Sequence, residues 1–316
     1  MIDTEVLIVG GGPAGSVCAL ELKRQKIDFL ILDKQEFPRH KTCAGWITPR
    51  VLREAEIDPA SYPGNFTQFT EFMVDIKNLR FRLRTRQFAI RRFEFDDWLI
   101  QRVSENLINH NVQDIQYQGN RYIVDGEYSA RYLIGAGGTH CPVKRTFFTS
   151  VHPANTGSLI VAQEEEFHYP NASDICRLWF FQNGLPGYAW YFPKSEDVIN
   201  VGVGGSAKGL KKRGDNLKRH WDLLVEKLDS LSLVRGHNFH PIGHSYYLRT
   251  TSPVLRTKNA LLVGDALGVA TLDMGEGIGP SIRSGINAAN AIVHGKVYTL
   301  NGIPRYSFPD LLGLRT

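Results

Sequence analysis

Residues 5–25, EVLIVGGGPAGSVCALELKRQ, limit the possible folds more than any other stretch of the chain. An apolar run at 6–9 meets a glycine turn, and a helix-forming segment then opens at Pro13 and runs to about Gln25. The glycines fall at Gly10, Gly12 and Gly15, spaced G-x-G-x-x-G, with Pro13 and Ala14 between the last two. Gly10 allows the tight turn, Gly12 lets backbone approach a pyrophosphate, and Gly15 lets the helix pack closely on the strand. The helix dipole then points at the phosphates. A second apolar run, 28–34, ends in Asp33 and Lys34. The acid stands about twenty residues beyond the glycines, where a carboxylate binds ribose hydroxyls. Strand, turn, helix, strand and terminal acid together specify a dinucleotide-binding α/β unit. They do not choose between NAD and FAD.

A second anchor lies far downstream. Another apolar strand, 261–263, leads directly into Gly264 and Asp265. Gly275, Glu276, Gly277, Ile278 and Gly279 follow, and then a helical run that opens at Pro280. Ser281, Ser284, Gly285, Ala288 and Ala289 give that helix a small-residue face on which another backbone can pack. Its glycine-led N-terminus suits an anion or a developing negative charge.

Between the anchors, residues 69–76, 81–90, 174–181, 188–194 and 197–205 read as antiparallel strands, with a hairpin turning at 195–197. Residues 216–228 read as an amphipathic helix with Trp221, Leu224, Val225 and Leu228 on one face. In LPGYAWYFPK the aromatics Tyr188, Trp190 and Phe192 share one face of a strand. Alone, that pattern describes packing in a sheet. His237, His240 and His244 lie around a Pro-Gly break with no carboxylate among them, and we expect no metal there.

At 316 residues the chain has room for about two domains. No apolar run reaches the ~18 residues that span a bilayer, and the start of the chain does not read as a signal peptide. Cys18, Cys43, Cys141 and Cys176 are scattered without metal or disulfide spacing, which suits a reducing compartment; the expectation is a cytoplasmic protein. The net charge of +5 is modest but clustered. Arg80, Arg82, Arg84 and Arg86 alternate along one strand face, and residues 208–220 are basic. A solvated sheet face accounts for the arginines; an anionic membrane surface is the sharper alternative. Neither cluster resembles a nucleic-acid module.

Across nearly the whole chain these motifs resemble the FAD-dependent oxidoreductases of the para-hydroxybenzoate hydroxylase type. RRFEFDDWL is similar to their R-x-x-F-D-x-x-L helix start, through Arg92, Phe95, Asp96 and Leu99. Residues 130–145, which include Ala136 and Gly137, resemble the G-A-D-G…S-x-V-R segment. VGDALG matches the Gly-Asp motif. Within that group, PGYAWYFPK resembles the P-x-x-Y-x-W-x-F-P motif of geranylgeranyl reductases, and KTCAGW their K-x-C-G-G segment. The resemblance implies a Rossmann-like α/β FAD-binding domain with an inserted antiparallel β-sheet and helix. It implies FAD as cofactor, Asp265 on the ribityl chain, and Gly275, Gly277, Ile278 and Gly279 beside the flavin N1–C2 edge. Arg92, Ala136 and Gly137 fall in cofactor-binding segments, as do Lys41, Cys43, Ala44 and Gly45. Cys43 either donates a proton or lines the pocket, with Lys41 near enough to lower its thiol pKa. Trp46, Tyr188, Trp190 and Phe192 become walls of a long apolar pocket. Two departures stand out: Gly137 replaces the usual aspartate and Cys141 the usual serine. They leave the electron donor open between NAD(P)H and a partner protein such as reduced ferredoxin.

The expected division is a discontinuous FAD-binding domain at 1–63, 88–150 and 252–296, a substrate domain at 64–87 and 151–251, and a tail at 297–316. The expected activity is reduction of carbon–carbon double bonds in an isoprenoid or similarly lipophilic substrate by hydride from reduced FAD. An oxygen-using monooxygenase or halogenase of the same fold is the alternative, and a non-catalytic FAD or lipid carrier is a third reading.

Overall fold

The computed structural model describes residues 1–77, 79–151, 156–170, 173–195 and 197–313. The strand predicted at 6–9 runs over Ile2–Val9 and lies inside the first sheet, parallel to Phe29–Asp33 on one side and Tyr128–Gly135 on the other. Val6, Leu7 and Ile8 are fully buried, as expected for a parallel strand covered on both faces. The main path of this sheet is Arg256–Thr257, Ala260–Leu262, Tyr128–Gly135, Ile2–Val9, Phe29–Asp33 and Leu107–Asn109. A hairpin, Ile115–Gln118 and Arg121–Val124, attaches to Tyr128–Gly135.

The fingerprint helix spans Pro13–Arg24, with Lys23 and Arg24 in its last turn, where cations suit the dipole. It packs against the long helix Ile278–Val293 through the small-residue face read from the sequence. A Cβ on Gly285 would stand 2.3 Å from the Ala14 carbonyl oxygen, so only glycine allows this approach. The first helix contacts its own strand as closely: a Cβ on Gly15 would fall 1.9 Å from the Gly10 oxygen.

The second sheet runs Ile242–Tyr247, Leu159–His168, Val198–Ser206, Gly187–Lys194, Cys176–Phe180, Phe66–Ile76, Leu79–Ile90 and Trp46–Ile47. All its pairings are antiparallel except Cys176–Phe180 with Phe66–Ile76. Gly187–Lys194 and Val198–Ser206 pair as the expected hairpin, Lys194 opposite Val198; Glu196 in its turn lies outside the described residues. Trp46–Ile47 falls in a stretch the sequence reading placed with the FAD-binding half, yet it pairs with Leu79–Ile90 as the edge of this sheet.

The two faces of the second sheet are occupied differently. Tyr191, Ile199, Val201 and Val203 pack beneath the amphipathic helix Leu217–Ser230, which contributes Trp221, Leu224 and Leu228. Asn216 caps that helix by accepting the Arg219 N–H at 3.0 Å. The opposite face presents Trp46, Phe69, Phe72, Leu178, Trp190 and Phe192 toward the first sheet. The arginines of Leu79–Ile90 alternate outward, and Arg80 forms a two-pronged pair with Asp75 at 2.8 and 2.9 Å. The tail is bound to this sheet, since Gln87 Nε2 donates to the Asp310 carbonyl at 3.0 Å. Among the described residues, no helix is long and apolar enough to cross a membrane.

Candidate functional site

The carboxyl ends of the parallel strands converge on one edge, where Gly10 N–H donates to the Leu32 carbonyl and Ala136 N–H to the Val9 carbonyl, both at 2.8 Å. In an open α/β sheet this edge is where a ligand binds. A single cavity of about 1470 Å³ begins there and continues to the apolar face of the second sheet. That is larger than the roughly 300–1,000 Å³ that holds one drug-sized ligand. A dinucleotide and part of a second molecule can share it.

At the first-sheet end the cavity is lined by Gly10, Gly12, Pro13, Ala14, Asp33 and Lys34. Gly10 has φ +114°, and a Cβ there would lie 2.5 Å from the Ala136 carbonyl. Asp33 is fixed by accepting the Gly11 N–H at 2.7 Å and the Gln35 N–H at 2.9 Å. Arg92 is buried and forms a two-pronged pair with Asp96, both bonds 2.7 Å. Asp96 also meets Arg39 at 3.3 Å, so one carboxylate orients two guanidinium groups that line the cavity.

Lys41, Cys43, Ala44 and Trp46 lie on the cavity wall between the two sheets. Cys43 Sγ accepts the Gly45 N–H at 3.4 Å and also engages Arg92. Ala136, Gly137, Gly264, Asp265, Gly275, Gly277 and Ile278 complete the lower wall. Gly15, Gly45 and Gly279 do not line it. Gly15 serves helix–strand packing. Gly45 has φ +74°, and its Cβ would fall 2.0 Å from the Ile90 oxygen, so it is a backbone-crossing glycine. The Gly279 N–H is taken by Glu276 Oε1 at 2.6 Å.

Tyr188, Trp190 and Phe192 form the upper wall. Each polar end is fixed: Tyr188 Oη donates to the Met274 carbonyl at 2.6 Å, and Trp190 Nε1 to Asn200 Oδ1 at 2.7 Å. Trp46 Nε1 donates to Gln87 Oε1 at 2.9 Å. The aromatic faces are therefore free for apolar contact while the polar atoms are satisfied within the protein.

Among the cavity residues that the sequence reading did not assign to the site are Arg39, Glu164, His244 and Tyr246. Burial pushes the Glu164 carboxyl up to about 7, against the opposing pull of Lys194 and Asn200. Burial lowers His244 to about 4, aided by the positive charges of Lys41 and Arg92, so its imidazole is neutral. Burial also raises the Tyr188 and Tyr246 phenols. The stretch Gln163-Glu164-Glu165-Glu166 was not among the strands read from the sequence; in the structure it lies in Leu159–His168, whose two-residue period puts Glu164 and Glu165 on opposite faces. Glu165 points to the histidine loop, accepting from His237 Nε2 at 2.8 Å and from the His240 N–H.

FAD fits these residues. Gly12 leaves a cradle in which a Cβ would come within 3.3 Å of Arg39 Nη2, and Arg39 Nε is buried without a hydrogen-bond partner among the described residues. A half-buried guanidinium with a buried, unsatisfied N–H at a glycine turn calls for an anionic oxygen.

Comparison with known proteins agrees. The profile of an FAD binding domain matches residues 3–56, and that of the geranylgeranyl reductase catalytic domain matches residues 158–235. The chain is 31% identical over 317 residues to digeranylgeranylglycerophospholipid reductase 1 of Methanopyrus kandleri, covering 92% of this chain and 81% of that one. It is 26% identical to a menaquinone reductase of Mycobacterium tuberculosis, covering 92% and 76%. The fold superposes on a geranylgeranyl bacteriochlorophyll reductase-like protein of Thermoplasma acidophilum with a TM-score of 0.80 at 20% identity, covering 93% and 79%. A glycine cradle suited to FAD, joined by one cavity to an aromatic sheet and matched along nearly the whole chain at 31% identity, leads to one conclusion: the chain belongs to the geranylgeranyl reductase family of FAD-dependent oxidoreductases.

Proposed function

We propose that this enzyme saturates carbon–carbon double bonds in the isoprenoid chain of a lipophilic substrate. The observation that carries the proposal is the continuity of one cavity from the Gly10–Gly12 turn to the face of Trp46, Trp190 and Phe192. An alkene held against that face would share a dry space with the flavin. The names of two relatives point the same way, since a digeranylgeranylglycerophospholipid and menaquinone both carry isoprenoid chains.

Bound and reduced, FAD would supply the hydride. This chain's residues would do the remaining work. Gly10, Gly12 and Arg39 would hold the pyrophosphate, Asp33 the adenosine ribose and Asp265 the ribityl chain. Gly275, Gly277 and Ile278 would present the positive end of the Ile278–Val293 helix to the cofactor, which favours a developing negative charge. Tyr188, Trp190 and Phe192 would orient the chain and exclude water. Cys43 and Lys41 would line the junction between cofactor and substrate.

Anaerobic single turnover with a polyprenyl substrate tests this reading. Flavin reoxidation without oxygen, with product heavier by two hydrogens, supports it. Reoxidation only in air would replace it with the oxygen-using alternative. Mixing the oxidised enzyme with NADH, NADPH or reduced ferredoxin, and following flavin bleaching, identifies the donor.

A further inference from the structure

Saturating a double bond takes one hydride and one proton, delivered to adjacent carbons. Glu164 stands on the substrate side of the cavity and is 3% exposed. It lies on Leu159–His168 opposite Gly202, whose missing side chain brings two groups together. A Cβ on Gly202 would meet the Trp190 ring at 2.2 Å and the Glu164 Cβ at 2.8 Å. The carboxyl-bearing side chain thus lies beside the indole that lines the cavity. Its hydrogen bonding is sparse: Asn200 Nδ2 reaches Glu164 Oε1 at 3.5 Å, the outer limit of such a bond, while Asn200 Oδ1 is occupied by the indole N–H.

The charged groups around it come from each neighbouring element. Lys194, on the Gly187–Lys194 strand, favours the carboxylate, but its ammonium is bonded to Glu166 at 2.5 Å. Lys41, on the loop before Trp46, also favours the carboxylate; Glu166, on Glu164's own strand, opposes it. Burial outweighs them, and the acid is poised at about 7, where a group can both hold and release a proton. Other cavity groups are less suited. The Tyr188 hydroxyl already donates to Met274, burial raises the Tyr246 phenol well above its ordinary value, and His244 is neutral. Cys43 is engaged with the Gly45 N–H and Arg92.

We propose that Glu164 is the acid that protonates the substrate alkene. This rests on the reductase reading above. One alkene carbon receives the hydride that the FAD-dependent reaction supplies. The other takes the Glu164 proton through the former π electron pair, leaving a saturated bond and a Glu164 carboxylate. Solvent then reprotonates the carboxylate between turnovers.

The test uses the FAD-loaded protein, reduced with dithionite and mixed anaerobically with geranylgeraniol. Glu164→Gln should lower the rate of product formation by about 10²–10⁴-fold, the usual contribution of general acid catalysis, with half-saturation and flavin content unchanged. Glu164→Asp should restore part of the rate and keep the wild-type loss of rate as pH rises through about 7. Infrared difference spectra supply a readout independent of turnover. A protonated-carboxyl carbonyl band lost as pH rises through about 7 in the wild type should be missing from Glu164→Gln, while the band of Glu276, held up to about 8, persists in both proteins. If the wild type turns over and Glu164→Gln keeps pace with flavin bound, the donor role is refuted and the reductase reading stands. If the wild type forms no reduced product, the reductase reading falls and the donor role with it.

Discussion

Glu276→Gln should remove much of a pH-dependent instability from the loop that leads into the Ile278–Val293 helix. Glu276 is 8% exposed, and its Oε1 accepts the Gly279 N–H at 2.6 Å. Burial raises its carboxyl to about 8; Asp310 and Glu54 add to the effect, while the Gly279 N–H and Arg50 oppose it. At low pH both the folded and unfolded chains hold this proton, and the residue costs nothing. From about pH 4.5 upward the unfolded chain releases it while the folded chain keeps it, so stability falls until pH passes about 8. At about 1.4 kcal/mol per pH unit, the span from 4.5 to about 8 amounts to about 5 kcal/mol. Glutamine keeps the acceptor for Gly279 and has no proton to lose. The variant should therefore gain on the wild type progressively between pH 5 and pH 8, by a few kcal/mol on the order set by that span. Urea unfolding of the FAD-bound proteins, followed by tryptophan fluorescence at several pH values, measures the difference. Glu164 titrates in both proteins and drops out of the comparison. Parallel stability curves would refute the assignment. A neutral Glu276 also leaves the positive end of the helix uncancelled beside the cavity.

Trp190→Ala should cost about 3–5 kcal/mol of stability, the range for removing a buried aromatic, and should damage turnover while FAD stays bound. Loss of flavin from the purified variant would mean the strand serves only the core. Gly12→Val should yield a folded protein without flavin absorbance: φ is −70°, so the backbone tolerates a side chain, but the cradle beside Arg39 is filled. Retained flavin would contradict the cradle. Asp265→Ala should weaken FAD binding by roughly 10–100-fold, the loss of one or two hydrogen bonds to a charged group, as read by flavin titration of the apoprotein. The exposed arginines of Leu79–Ile90 should hold the protein on anionic vesicles at low salt and release it at high salt, and an absence of low-salt flotation would exclude that surface.

Much of the cofactor end of the site was readable because its chemistry is local. A glycine turn, the helix behind it and the acid at the next strand end lie within residues 6–34, and their spacing alone demands a close backbone approach. The shared face of Tyr188, Trp190 and Phe192 followed just as directly from the two-residue period of a strand. Long-range contacts were not readable in this way. Arg39 matters because Asp96 orients it, and Glu164 because a glycine three strands later in the sequence admits Trp190 beside it. Gly15, Gly45 and Gly279 illustrate the converse: their motif positions were plain, but only packing assigns them to helix contact, backbone crossing and a capped N–H.

The sequence by itself determined a dinucleotide-binding α/β unit, its Gly-Asp partner strand and an aromatic strand between them, because periodicity and glycine spacing act over a few residues. The tertiary structure alone decided which strand faces turn inward and which charges lose water. Burial depends on what packs opposite each residue. That is why Glu164, one of three consecutive glutamates in the sequence, became the acid that burial pushes up to about 7 in the cavity wall.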